Sequence, residues 1–175
     1  DLLITGAGPI GLISVAICKL MRVKNIVITD INDYRLNLAK KLGATKTINT
    51  KKDSIKNCFD ELNIKHGFDV GLEMSGNGQA FNEMLSCIYH GGKIVLLGLL
   101  PKSTCIDWDN VIFKGLQIRG VYGREMYETW YKMDQLIRSG LDLSKIITHK
   151  FPISSFNEAF KVISSGQCGK VVMEW

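Results

Sequence analysis

One segment constrains this chain more than any other. Leu2-Leu3-Ile4-Thr5 runs straight into Gly6-Ala7-Gly8-Pro9-Ile10-Gly11, after which Ile13, Ile17 and Leu20 recur at helical spacing. A strand buried on both faces reads as an unbroken apolar run. A G-x-G-x-x-G between such a strand and a helix is a turn suited to a pyrophosphate. Gly6 permits the tight turn, Gly8 lets backbone approach the phosphates, and Gly11 lets the helix pack closely on the strand. Pro9 falls in the first helical turn, where its missing N–H had no intrahelical partner. The free N–H groups and the dipole at that helix start favour an anion.

Glycine turns occur in many folds, so the motif gains weight from the second strand. That apolar run, Asn25 to Thr29, ends on Asp30, which lies 19 residues past Gly11. An acid at that distance is placed to accept hydrogen bonds from the ribose hydroxyls and to repel a 2′-phosphate. The pattern therefore favours NAD over NADP. As a plain alternative, Asp30 is a strand-end turn residue. Arg35 can stack on adenine or form a helix-surface ion pair, and its residue type does not decide between them. An S-adenosylmethionine-dependent methyltransferase is the rival from another class, with a less regular glycine pattern.

Beyond this unit, short apolar strands alternate with amphipathic helices, the pattern of a parallel sheet covered on both faces. Helices are predicted over Ile10–Met21, Tyr34–Leu42, Asp53–Lys65, Gly78–Tyr89 and Arg124–Ser139. Further strands are predicted near Lys46–Ile48, Asp69–Met74, Lys93–Gly98 and Leu116–Tyr122. The expected fold is a doubly wound (Rossmann) α/β domain with a six-stranded parallel sheet, over residues 1–140. Residues 141–175 break the rhythm: Pro152 interrupts, a short helix runs to about Ser164, and Gly169–Trp175 makes a closing strand. That tail is expected to pack with another domain. The chain starts on Asp1 with a strand already under way, which reads as a piece of a longer protein.

Bulk properties narrow the classes further. No apolar run approaches the roughly 20 residues that span a bilayer, so no membrane partner is expected. The 22 Lys and Arg exceed the 17 Asp and Glu by only five, and they occur as scattered pairs such as Lys40-Lys41. Without a basic stripe interleaved with aromatics, nucleic acid is not an expected partner. Cys18, Cys58, Cys87, Cys105 and Cys168 are too widely spaced for a zinc ribbon or a redox pair. They read as reduced thiols of a cytoplasmic protein.

An acid–base centre is missing from the pattern. His66, His90 and His149 are far apart and lack cysteine or carboxylate company at ligand spacing. Tyr127 and Lys132 lack the i, i+4 spacing of a tyrosine base with its lysine, and Tyr131 and Lys132 are adjacent. No catalytic residue and no metal ligand is assigned in this chain.

With these residues in view, the chain resembles the cofactor-binding half of the zinc-dependent medium-chain alcohol dehydrogenases, over essentially its whole length. Gly6 to Gly11 with Asp30 is the generic part. More specific are Val27-Ile28-Thr29-Asp30, Gly67 to Gly76 (GFDVGLEMSG), Ile106-Asp107-Trp108, Gly123-Arg124-Glu125-Met126, Glu128 to Met133 (ETWYKM) and Gly140 to Leu143. The likeness is greatest to members that oxidise the 3-hydroxyl of L-threonine to 2-amino-3-oxobutanoate with NAD. A polyol or butanediol dehydrogenase of the same family is the alternative. The resemblance implies that Ile10 lies at the pyrophosphate turn and that Asp30 and Arg35 lie at the adenosine end. It implies that Leu97-Gly98-Leu99 line the nicotinamide side and that Val121-Tyr122 present backbone to the carboxamide. Both segments come after predicted strands, where ligands of open α/β sheets bind. It further implies a catalytic zinc held by a preceding domain, a tail from about Leu141 that packs on that domain, and tetramers whose dimers pair sheet edges around Ile118–Val121.

Overall fold

A computed structural model describes residues 1–175. Six strands form one sheet: β1 (Leu2–Thr5), β2 (Ile26–Asp30), β3 (Lys46–Asn49), β4 (Phe68–Glu73), β5 (Ile88–Leu96) and β6 (Gln117–Gly120). Their spatial order is β3-β2-β1-β4-β5-β6, and every neighbouring pair is parallel. The chain therefore starts at the sheet's centre, winds outward to β3, and crosses back to build the other half. Ligands of such sheets bind beyond the strands' carboxyl ends at that reversal, between β1 and β4. The predicted doubly wound fold is the observed one.

Alternate residues of the strands feed two cores. Leu2, Ile4, Ile26 and Ile28 pack with Leu12 and Val15 of α1 (Pro9–Leu20) and with Leu36, Ala39 and Leu42 of α2 (Asp33–Leu42). On the opposite face, Leu3, Val27, Phe68 and Ile94 pack with Phe81, Met84 and Leu85 of α4 (Gly78–Cys87). Asn32 caps α2 by accepting the Arg35 N–H, and Gly43, at φ +109°, ends it in the left-handed conformation. No helix is long and apolar enough to cross a membrane.

Four local expectations need correction. The helix predicted over Asp53–Lys65 is a 3₁₀ turn (Ile55–Asn57) followed by one helical turn, α3 (Cys58–Glu61). There Asp53 accepts from Asn57 and Ser54 accepts the Lys56 N–H, so side chains compete with helical bonding. Strand β5 starts at Ile88 and not at the predicted Lys93, so Gly91 and Gly92 lie inside it, at a register shift against β4. The loop after β5 contains an unpredicted helix, α5 (Trp108–Phe113), capped by Asp107. Tyr127, at φ +64°, delays α6 to Glu128–Arg138.

The tail also holds an unpredicted strand. Strand β7 (Ile147–Pro152) pairs in parallel with β8 (Lys170–Glu174), and α7 (Phe156–Ser165) is the crossover. Pro152 stands at the strand's end, a position that tolerates its missing donor. Leu141 and Ile146 are buried in the core that contains α1 and α2. The Asn32 side chain donates to the Gly166 carbonyl at 3.0 Å.

The thiols differ with their packing. Cys58, Cys87 and Cys168 are buried, Cys18 is half-buried and Cys105 is exposed. Burial pushes the Cys58 thiol from its ordinary 9.0 to about 11. A raised acid pKa means the fold prefers the neutral thiol. The stability this lends is complete below pH 9.0 and is lost as pH rises towards 11. A chromogenic disulfide reagent near about pH 8 is expected to titrate Cys105 rapidly, and the three buried thiols only as the protein unfolds. Rapid reaction of all five would contradict this packing.

Candidate dinucleotide site

At the reversal point, β1 ends on Thr5 and the chain turns at Gly6, whose φ is +89°. The turn is locked from two sides. Gly6 N donates to Thr29 O at 2.8 Å, and a Cβ on Gly6 would come within 2.9 Å of the Ser75 backbone. Gly11, one turn into α1, packs so tightly that a Cβ there would collide with the Gly6 carbonyl oxygen. Gly8 is different. It is the N-cap of α1 with ordinary φ −68° and ψ 178°, has no capping side chain, and a Cβ on it would meet nothing within 4 Å. The first turn of α1 has no acidic residue. Its amide end thus faces open space with its anion preference unspent.

Asp30 closes β2 beside this turn. Its Oδ2 accepts the Ala7 N–H at 2.6 Å, and its Oδ1 accepts the Ile31 and Asn32 N–H groups at 2.7 and 2.9 Å. An ionised carboxylate offers about four acceptor positions, so these bonds leave room for one further strong donor. The sequence pattern suggested bonds to both ribose hydroxyls. Arg35 lies in the first turn of α2, and its Nε is buried without a hydrogen-bond partner. A buried donor left unpaired is costly unless a ligand completes it.

Gly6, Gly8, Asp30 and Arg35 line one cavity of about 570 Å³, with Thr50, Lys51, Ser75 and Gln79 among its other walls. That volume lies within the usual range for cofactor pockets. Thr50 and Lys51, just past β3, and Gln79, in the first turn of α4, were not anticipated. No motif marks them, and only the fold brings them together. Ile10 sits half-exposed at the start of α1.

The remaining expected positions lie outside this cavity. Leu97 and Gly98 both donate their N–H groups to the Glu73 carbonyl at 3.0 Å, which ties the turn after β5 to the end of β4. The backbone of Leu99 packs on Gly76, while its side chain is exposed. Val121 donates to Leu96 O at 2.9 Å, one step past β6, and Tyr122 is fully exposed. These residues form an open shelf along the same edge of the sheet. No group of three or more His, Cys, Asp or Glu residues is placed to hold a metal ion.

This geometry has relatives. Residues 9–139 match a family model described as zinc-binding dehydrogenase. The chain belongs to the zinc-binding dehydrogenase family. L-threonine 3-dehydrogenases of Chromobacterium violaceum and of a Marinomonas strain are 58% and 57% identical to it over 175 residues, 100% of this chain and 51% of each of those proteins. The chain thus spans about half the length of the curated relatives it matches. Among solved structures, one described as a short chain alcohol dehydrogenase of Escherichia coli CFT073, in complex with NADH, is 25% identical. It superposes with a TM-score of 0.86 over 100% of this chain and 52% of that one. L-idonate 5-dehydrogenase of Escherichia coli, 25% identical, gives 0.85 over 100% and 50%.

Proposed function

We propose that this chain is the NAD-binding part of an L-threonine 3-dehydrogenase, which converts L-threonine and NAD⁺ to 2-amino-3-oxobutanoate, NADH and a proton. The observation that carries the cofactor reading is the pairing of an uncapped α1 start at Gly8 with Asp30 and the unpaired Arg35 Nε in one cavity. The threonine reading is supported by the 58% and 57% identity to proteins of that name over the whole chain.

In this reading the amide end of α1 holds the pyrophosphate, and Ile10 covers it. Asp30 takes a ribose hydroxyl, and Arg35 completes its hydrogen bonding at the adenosine end. The shelf made by Leu97, Gly98 and Leu99, with the Val121 and Tyr122 backbone, orients the nicotinamide, which supplies the hydride acceptor. Residues 1–140 form the cofactor unit, and residues 141–175 also meet the part of the enzyme that binds substrate and zinc. The groups that handle the hydroxyl proton belong to that part, as does most of the threonine pocket. The enzyme works in the cytoplasm as a homotetramer. Strand β6 supports the assembly reading: it is a sheet edge flanked by exposed Phe113, Val121 and Tyr122.

Titration of the purified chain with NADH, followed by nicotinamide fluorescence, is expected to give saturable binding without turnover of threonine. Absence of saturation would overturn the cofactor reading. In the full-length enzyme, a kcat/KM on 2,3-butanediol above that on threonine would overturn the substrate reading.

A further inference from the structure

Glu73 is the only charged side chain buried in the protein, at 0% exposure, and none of the six ion pairs includes it. A carboxylate without a cation in the interior is costly. Its setting shows what holds it. Oε1 accepts from Thr5 Oγ1 at 3.3 Å, from Ser75 N at 2.9 Å, from Gly76 N at 3.0 Å and from Ser75 Oγ. Oε2 receives only a longer bond, 3.3 Å from Gly76 N, and lies against Gly98, where an added Cβ would collide with it. One carboxylate therefore hydrogen-bonds the end of β1 to the turn after β4 and packs against the turn after β5. A neutral hydrogen-bonding side chain could join them too, so the staple alone does not explain a charge.

We propose that the Glu73 carboxylate sets the redox-state preference of the site, favouring NAD⁺ over NADH. The inference rests on the NAD reading, with Leu97 to Leu99 on the nicotinamide side. The nicotinamide ring is cationic in NAD⁺ and neutral in NADH. A fixed negative charge under the Gly98 turn stabilises the first and leaves the second nearly untouched. The donors on Oε1 offset part of that charge, but little water reaches the buried Glu73, so what remains acts more strongly than it would at the surface. An enzyme that oxidises an alcohol benefits from binding the oxidised cofactor and releasing the reduced one.

The test compares the two cofactor forms on the same chain. Kd for NADH comes from fluorescence titration and Kd for NAD⁺ from competition against it, for wild type, Glu73→Gln and Glu73→Asp. Circular dichroism and thermal melting check each fold. In Glu73→Gln the amide oxygen can take the Oε1 place and keep its four bonds, so the staple stays and the charge goes. The ratio Kd(NAD⁺)/Kd(NADH) is expected to rise about tenfold, the scale of a unit charge about 12 Å away at an effective dielectric constant near 20. Glu73→Asp keeps the charge on a shorter stem. Both Kd values are expected to rise together, with the ratio within about twofold of wild type. An unchanged ratio in Glu73→Gln overturns the proposal, as does an equal ratio shift in both variants. If Glu73→Gln does not fold, the Asp variant decides: a ratio moved by more than about threefold overturns the proposal, and a preserved ratio with weaker binding supports it. A wild-type chain that binds neither form overturns the NAD reading and this inference with it.

Discussion

Gly11→Ala is expected to destabilise the domain severely and to abolish NADH binding, whereas Gly8→Ala should leave the fold intact and still lose the cofactor. Both glycines belong to one six-residue motif, yet their surroundings differ. A methyl on Gly11 would occupy the space of the Gly6 carbonyl oxygen, with Ile28 Cδ1 only 3.6 Å away on another side. Gly6 cannot retreat, because its N–H is bonded to Thr29 and its Cα faces the Ser75 backbone. Helix α1 must therefore shift off the sheet, at a cost of about 3 kcal/mol, which in a domain of this size lowers Tm by roughly 10 °C. Gly8 has a backbone conformation open to any residue and an empty Cβ direction. Alanine there should keep stability within about 1 kcal/mol of wild type, its smaller unfolded-state entropy set against its poorer N-capping. Its methyl would, however, stand where the pyrophosphate must approach the helix start, and a misplacement of about 1 Å can cost a hundredfold. Thermal melts and NADH titrations on both variants check the pair. Wild-type affinity in Gly8→Ala would show that no phosphate approaches that backbone. A wild-type Tm in Gly11→Ala would show that the close packing of α1 on β1 is not real.

Those two glycines also show why so much of the fold was legible. Gly6, Gly8, Gly11 and Asp30 belong to a local unit in which spacing alone fixes strand, turn and helix. Uniform apolar runs such as Ile26-Val27-Ile28 could only be strands covered on both faces. Where tertiary context decided, the pattern was silent or misleading. Six residues, Trp108–Phe113, are too few for a helical period to register, though Asp107 with Asn110 was a readable cap. In β7, His149 and Lys150 hide a strand that only its pairing with β8 makes visible. The site divided in the same way. Asp30 was singled out by its distance from the glycines and does line the cavity, but its three backbone donors depend on how the turns meet. Glu73 carried a faint signal: an acid at the end of β4, where a strand covered on both faces calls for a hydrophobe.

Asp30→Asn is expected to weaken NADH at least tenfold and to change the preference for NADH over NADPH by about a hundredfold, the scale of removing a like-charge contact. Two separate losses combine. One carboxylate oxygen holds the Ile31 and Asn32 N–H groups and the other holds Ala7. An amide can satisfy only one of these sets, since its NH₂ would face a donor on the other side. The turn after β2 then loosens from the glycine turn, costing about 1–3 kcal/mol of stability for the unpaired group. The second loss is the charge itself. In the proposed reading a 2′-phosphate meets the Asp30 carboxylate, and with that charge gone Arg35, whose Nε has no partner, and Lys51, on the same cavity wall, become its counter-charges. The gain for NADPH should shrink as salt rises, because attraction between a phosphate and partly exposed cations is screened within about 8 Å at physiological ionic strength. The loss for NADH, which comes from geometry, should not. Titrating wild type and Asp30→Asn with both cofactors at low and high salt separates the two. If the NADH-to-NADPH ratio is the same in both proteins, Asp30 does not face the ribose, and cofactor choice must be assigned to other residues of the cavity.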